Sequence, residues 1–201
     1  MKKEHQLHML RYSLTEQVVH GMEVSNLAFE VAREAGLPND LCHELAVAGI
    51  LHDIGKIPLG DYVERCDTLV VEEMRFVRMH SMLSYEFLKN RGYSGFVLDS
   101  IRYHHENLDG SGYPDHLSGE NIPYGARILR ICDVYCALTS DRPYRSAFDR
   151  DTAIELMIEE IKNFDMGIFI AFLRVVHNQT QRAVHLENIE GIIEGELKQW
   201  H

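Results

Sequence analysis

The stretch Asp40-Leu41-Cys42-His43-Glu44-Leu45-Ala46-Val47-Ala48-Gly49-Ile50-Leu51-His52-Asp53 carries the pattern on which the fold turns. Leu41, Leu45, Ala48 and Leu51 recur at three- and four-residue intervals, the spacing of one face of a helix, and Asp40 is placed to cap its start. The same pattern repeats in both directions. Upstream, Ser13-Leu14-Thr15-Glu16 reads as a capping box with Ser13 as N-cap. The helix it opens is expected to run to about Ala35, where Gly36 and Pro38 stop it. Downstream, helices are expected at 71–90, 95–106, 122–139, 151–162 and 166–177, with a last amphipathic one at 187–200. No stretch alternates with period two for long enough to demand a sheet, so the fold class is all-α.

Two loops interrupt the helices, Ile57 to Thr68 and the turn-rich Asn107-Leu108-Asp109-Gly110-Ser111-Gly112-Tyr113-Pro114. The 201 residues suit one domain, and 45% hydrophobic content is enough to build a core. The organisation expected is an N-terminal extension over 1–12, a catalytic domain over 13–178 and a C-terminal helical appendage over 179–201. Met1 to Arg11 has no apolar signal-peptide core, and the longest apolar run, Leu45 to Leu51, is too short to cross a bilayer. The expectation is a cytoplasmic protein without membrane contact. Cys42, Cys66, Cys132 and Cys136 lack CxxC spacing; Cys132 and Cys136 share a helix face and read as packing thiols rather than a thiolate pair. A net charge of −11 argues against long nucleic acids, which want a basic footprint. A small anionic substrate stays open, because bound divalent cations would reverse the field locally.

Potential metal ligands are distributed along the pattern. His20 follows Glu16 by one turn, His52 and Asp53 adjoin, His80 stands in a later helix, His104 and His105 form a second pair, and Asp133 lies in an apolar run. Each alone is more simply a structural or solvated residue. Imidazole and carboxylate together suit Fe, Mn, Zn, Ni or Co, and a buried Asp133 among Ile128, Leu129, Ile131, Val134 and Leu138 needs a compensating charge.

His52-Asp53-Ile54-Gly55-Lys56 matches the HDIGK signature of the HD superfamily of phosphohydrolases. His104-His105-Glu106 through Asp109-Gly110-Ser111-Gly112-Tyr113-Pro114 matches the HHExxDGxGYP signature of its HD-GYP branch. Ala137-Leu138-Thr139-Ser140-Asp141-Arg142-Pro143-Tyr144-Arg145 is similar to a third block of that family. The resemblance runs from about Glu16 to His177, and it implies an HD-domain helical bundle with a di- or trinuclear metal site between helices. The implied activity is hydrolysis of cyclic di-GMP to pGpG and onward to GMP. The alternatives are another cyclic dinucleotide, such as 3′,3′-cyclic GMP-AMP, or a non-catalytic nucleotide-binding signalling module.

Carried over by position, the resemblance makes His20, His52, Asp53 and Asp133 metal ligands, with Asp53 as the bridge. His80, His104 and His105 add a second ion site, and Glu16 a third, unless it serves only as the cap partner. Two or three divalent ions are implied, Fe or Mn first. Lys56 is implied to contact phosphate or protonate the leaving oxygen, making it catalytic with Asp53; Arg142 and Arg145 are implied to grip phosphate or guanine. The alternatives are a surface lysine and a helix-end pair. The loop of Asp109, Gly110, Gly112, Tyr113 and Pro114 is implied to shape the pocket or dock a GGDEF-type cyclase, or else only to support His104 and His105. A homodimer is a further expectation.

The chain departs from the family in three places. Arg65-Cys66-Asp67-Thr68-Leu69 replaces the usual Lys-Pro-Gly turn, Cys136 stands for an Asp, and Met166 for a Pro. None removes an implied ligand.

Overall fold

The computed structural model describes residues 14–57, 77–141 and 145–179. Among these residues there is no strand, and the all-α expectation holds. The order is α1 (Leu14–Glu34), α2 (Asn39–Leu51), a 3-10 turn at Ile54–Lys56, α3 (His80–Leu88), α4 (Gly95–Arg102), α5 (Tyr124–Thr139), α6 (Arg150–Glu159) and α7 (residues 166–179). No helix among them is long and apolar enough to cross a membrane.

α1 buries His20, Val24, Leu27 and Val31, a stripe at helical spacing with a histidine at its N-terminal end. Gly36 ends the helix at φ 84°, its N–H returning to Arg33 and that of Leu37 to Ala32. α2 then folds back along α1. The two backbones cross closely at Gly49, where a Cβ would lie 2.7 Å from Ser25 Cα. Only a glycine lets the helices approach so near, and the crossing sets His20 and His52 on one side of the hairpin.

α5 packs against α1 and α4, and α6 lies against α5. Leu45 and Ala48 of α2, Ile128, Leu129 and Ile131 of α5, and Ile168, Phe169 and Phe172 of α7 close one continuous core. Tyr135 meets Phe172 edge to face at 5.0 Å. Cys42, Cys132 and Cys136 are buried in this core, which supports the packing reading of the thiols. Burial pushes the Cys132 thiol well above its usual range.

Several boundaries differ from the sequence expectation. Asp40 does not cap α2; the helix starts at Asn39 after Pro38, and Asp40 falls in the first turn, where its charge faces the helix dipole instead. The helix expected over 95–106 ends at Arg102, because Tyr103 leaves the helical region at φ −107° and ψ 10° and the chain turns. His104 and His105 are therefore turn residues, not helical ones. α6 ends at Glu159, with a 3-10 turn at Ile161–Asn163 replacing its expected last residues. Met166 begins α7 behind Asp165, whose carboxylate accepts from the Gly167 and Ile168 N–H groups. The first helical residue has no intrahelical acceptor for its N–H, so methionine replaces proline there without breaking anything. Ser13, the Arg65–Leu69 segment, Arg142, and the segments 1–12 and 187–200 lie outside the described residues, as does the start of the helix expected over 71–90.

Candidate metal centre

Seven side chains from five parts of the chain converge at the open side of the α1–α2 hairpin. His20 comes from α1, His52 and Asp53 from the junction after α2, His80 from the start of α3, His104 and His105 from the turn after α4, and Asp133 from α5. His52, Asp53, His80 and His104 are buried, as are His20 and Asp133.

The HD junction is built by close packing. Asp53 precedes the 3-10 turn, and Lys56 N–H closes that turn onto the Asp53 carbonyl. Gly55 lies against the start of α3, where a Cβ would come within 2.2 Å of the His80 carbonyl oxygen. Ser84 Oγ accepts from Gly55 N–H and donates to the His52 carbonyl, both at 2.8 Å. The glycine and the serine together clamp His52 and Asp53 to His80.

Three imidazoles share one orienting device. His52 Nδ1 lies 2.7 Å from the Gly49 carbonyl, His80 Nδ1 2.5 Å from that of Val77, and His104 Nδ1 2.6 Å from that of Ile101. A carbonyl only accepts, so each Nδ1 carries the hydrogen, and in a neutral ring Nε2 is left as a lone pair. These Nε2 atoms point inward. His80 Nε2 lies 3.3 Å from His104 Nε2 and 3.0 Å from His105 Nε2. Asp53 reaches both halves of the cluster, with Oδ1 3.1 Å from His80 Nε2 and Oδ2 3.3 Å from His52 Nε2. Asp133 Oδ1 lies 3.0 Å from His20 Nε2 and 3.6 Å from His52 Nε2.

The donor set fits metal ions. Three groups, His20-His52-Asp133, His52-Asp53-His104 and His80-His104-His105, each bring their ligand atoms within 4.8 Å of one another. His52 Nε2, Asp53 Oδ1 and His20 Nδ1 are buried without a hydrogen-bond partner. Buried polar atoms are costly when unpartnered, and lone pairs that face each other repel; a cation between them relieves both.

The charges of the metal-free cluster follow the same logic. Burial opposes charge on His52, but Asp53 and Asp133 overcome it and hold the imidazolium up to about 10. Burial also opposes charge on both carboxylates; His52 and Lys56 nevertheless hold Asp53 well below the usual range, and His20 and His52 do so for Asp133. Burial and the adjacent imidazoles push His104 and His105 down, so both are neutral and ready as ligands. Lys56 Nζ sits 2.6 Å from Asp53 Oδ2, at the edge of the cluster.

The GYP loop presses on the cluster from outside. Tyr113 stacks on His105 with ring centroids 4.7 Å apart, and its N–H returns to the His105 carbonyl. Burial holds its phenol well above the usual range. Gly112 packs onto the backbone of His105 to Asn107, Gly110 takes φ 82°, and the Tyr113–Pro114 peptide is cis. Asp109 accepts from the N–H and hydroxyl of Ser111 and takes no part in the cluster. Glu106, buried behind the histidine pair, accepts from Asp115 N–H and steadies the loop's return.

Two expected site residues stand apart. Glu16 is exposed in the first turn of α1 and belongs to none of the three ligand groups. Arg145 donates to the carbonyls of Ala137 and Leu138 at 2.8 and 3.0 Å and to that of Ser146, with its guanidinium over the Phe148 ring. Its donors serve the end of α5. Sequence reasoning passed over Arg78 and Arg130, which lie against the GYP loop; their spacing from His80 and Asp133 was the available signal.

Comparison with known proteins agrees with this geometry. Residues 2–168 match the family described as HD domain. The chain is 39% identical over 160 residues to the cyclic di-GMP phosphodiesterase PA4108 of Pseudomonas aeruginosa, an alignment covering 79% of this chain and 39% of that protein. It is 32% identical over 158 residues to the 3′3′-cGAMP-specific phosphodiesterase 1 of Vibrio cholerae, covering 77% and 37%. The chain thus spans about two-fifths of the length of these relatives. Among solved structures, Bd1817, an HDG"Y"P protein from Bdellovibrio bacteriovorus, superposes with a TM-score of 0.65 at 17% identity, covering 83% of this chain and 55% of that one. At that identity the likeness speaks for the fold.

Proposed function

The chain belongs to the HD domain family and carries the HD-GYP signature, and from that membership we propose that it is a metal-dependent phosphodiesterase that hydrolyses cyclic di-GMP to pGpG, and onward to GMP. The observation that carries the reading is the convergence of His Nε2 atoms, their rings oriented from behind by backbone carbonyls, and two carboxylates on a space whose donor set suits cations. Residues 13–178 are the catalytic unit in this reading, acting in the cytoplasm, with 1–12 and 179–201 as flanking segments.

His20, His52, Asp53 and Asp133 would hold one ion, and Asp53, His80, His104 and His105 a second, with Asp53 between them; Glu16 is the candidate for a third. Fe or Mn suits this nitrogen and oxygen set, as do Zn, Ni and Co. Bound there, the ions would supply Lewis-acid polarisation of the phosphate and a water of lowered pKa. The chain's own residues do the rest. Lys56 already pairs with Asp53 Oδ2, so it stands beside the place where the scissile phosphate must come, and its ammonium can offset charge on a non-bridging oxygen or give a proton to the departing ribose oxygen. Tyr113 covers His105 and keeps solvent from that side of the cluster. Arg142 remains a candidate for phosphate or guanine, and Arg145 would reach substrate only by releasing the end of α5. The Asp109 to Pro114 loop, of which Asp109 and Ser111 are exposed, is the candidate surface for a GGDEF-type cyclase, and a homodimer is the assembly proposed.

The 32% identity to a cGAMP-specific enzyme supports a second reading, 3′,3′-cyclic GMP-AMP as substrate. A non-catalytic signalling module fits less well, because such a module has no need of seven converging ligands. The test is incubation of Mn- or Fe-loaded protein with each cyclic dinucleotide and chromatography of the nucleotides. Conversion of cyclic di-GMP at the higher kcat/KM is expected; preference for the mixed dinucleotide selects the second reading. Metal-loaded protein that cleaves neither overturns both.

A further inference from the structure

With Arg145 engaged at the end of α5, the described residues offer two other guanidinium groups beside the metal centre. Arg78 precedes His80 by two residues and holds Cζ 5.6 Å from the centre of the Tyr113 ring. Arg130 lies one turn before Asp133 on α5 and donates from Nε to Asn107 Oδ1 at 3.0 Å. Tyr113 in turn stacks on His105. The two arginines come from different elements and meet the same loop. Among the described residues neither arginine forms an ion pair with a carboxylate. The Nε bond to Asn107 fixes the plane of the Arg130 guanidinium and leaves its two terminal nitrogens to bond elsewhere.

A cyclic dinucleotide carries two phosphodiesters across one macrocycle. When the first is held at the ions, the second lies at a fixed remove and brings its own negative charge to a protein whose net charge is −11. Without a local cation that charge would oppose binding. A guanidinium fork suits a phosphodiester better than an ammonium does, because it offers two parallel donors to two oxygens.

We propose that Arg78 and Arg130, gathered around Tyr113, hold the second, uncleaved phosphate of the cyclic dinucleotide and so favour cyclic dinucleotides over simple phosphodiesters. The assignment rests on the phosphodiesterase reading and makes the two arginines specificity residues, with no part in breaking the bond. Asn107 is then a positioning residue that presents Arg130.

The experiment compares kcat and KM of the metal-loaded full chain on cyclic di-GMP and on bis(p-nitrophenyl) phosphate, which has one phosphate only. Arg78→Gln and Arg130→Gln should each raise KM for cyclic di-GMP about tenfold, the size expected for one charge-assisted hydrogen bond. The ratio of kcat/KM between the two substrates should fall by a similar factor. Arg130→Lys should recover part of the loss, since it keeps the charge and gives up the fork. If both substrates lose equally, the arginines merely tie the loop and the assignment is overturned. Variants that match the wild type on cyclic di-GMP overturn it as well, while leaving the phosphodiesterase reading intact. Wild-type protein that cleaves bis(p-nitrophenyl) phosphate but no cyclic dinucleotide overturns that reading and this assignment with it.

Discussion

His80 and His104 point Nε2 at Nε2 across 3.3 Å, although each has committed its Nδ1 hydrogen to a backbone carbonyl. Two lone pairs do not approach so closely unless something positive belongs between them. The ring orientations are fixed from behind by the chain itself, so the cluster is preorganised for ions rather than assembled by them.

The first prediction follows from that preorganisation. Elemental analysis of protein purified without oxygen should find at least two ions per chain, about 3.5–4 Å apart by anomalous scattering, as in other two-metal sites. Removing them with a chelator should lower the melting midpoint, since an ion that binds only the folded chain stabilises it by mass action. A stripped protein that melts with the untreated one would contradict the arrangement.

Asp53 touches both halves of the cluster, and Asp109 touches neither. Asp53→Ala should therefore empty or distort both ion sites and abolish turnover of cyclic di-GMP, while Asp109→Ala should weaken it only in part. The helical fold should survive Asp53→Ala by circular dichroism, because Asp133 remains to balance His52. A folded Asp53→Ala protein with near wild-type turnover would end the bimetallic reading.

Gly55 has no room for a side chain, with the His80 carbonyl oxygen 2.2 Å from where a Cβ would stand. Gly55→Ala should push α3 away and take His80 with it. The expected cost is on the order of 1–3 kcal/mol in stability. Metal content should fall together with the melting midpoint; retention of both at wild-type values would show that α3 is not held by this contact.

Glu16 is one turn from His20 but exposed and outside the ligand groups. If it holds a third ion, Glu16→Gln should lower metal content by up to one equivalent. If it only supports the start of α1, the variant should keep its metal and lose on the order of 1 kcal/mol or less. Metal content alone decides between them.

The metal-free chain should be most stable near pH 6.5. Burial disfavours the charge on His52, but Asp53 and Asp133 raise its folded pKa to about 10, so its contribution is complete below 6.5 and is lost as pH climbs towards 10. Burial and neighbouring imidazoles hold His104 and His105 well below 6.5, so below that pH the unfolded chain takes protons that the folded chain refuses, and stability falls on the acid side too. Bound ions would replace the proton on His52 and flatten the alkaline decline. Melting midpoints of chelator-treated protein between about pH 5 and about pH 10 give the curve, and a midpoint that rises steadily above about pH 7 would show that the carboxylates do not hold His52 charged.

What the sequence by itself determined is the helical class, the main helix spans and the choice of candidate ligands that the fold brings together. Apolar spacing reports helices because one face must meet the core, and His20 and Asp133 were legible because each interrupts such a face. Signature residues such as His52, Asp53, His104 and His105 could be named in advance because their types and order recur in the family. Only the tertiary structure decided how they are presented. It placed His104 and His105 in a turn after Arg102, since the Ile101 carbonyl is taken by an imidazole and the chain must leave the helix to bring both rings inward. It gave Arg145 to the carbonyls at the end of α5 and brought Arg78 and Arg130, unremarkable in the sequence, to the same loop. Local spacing records which residues share a helix face, whereas a guanidinium goes to whichever acceptors the packing of distant elements leaves within its reach.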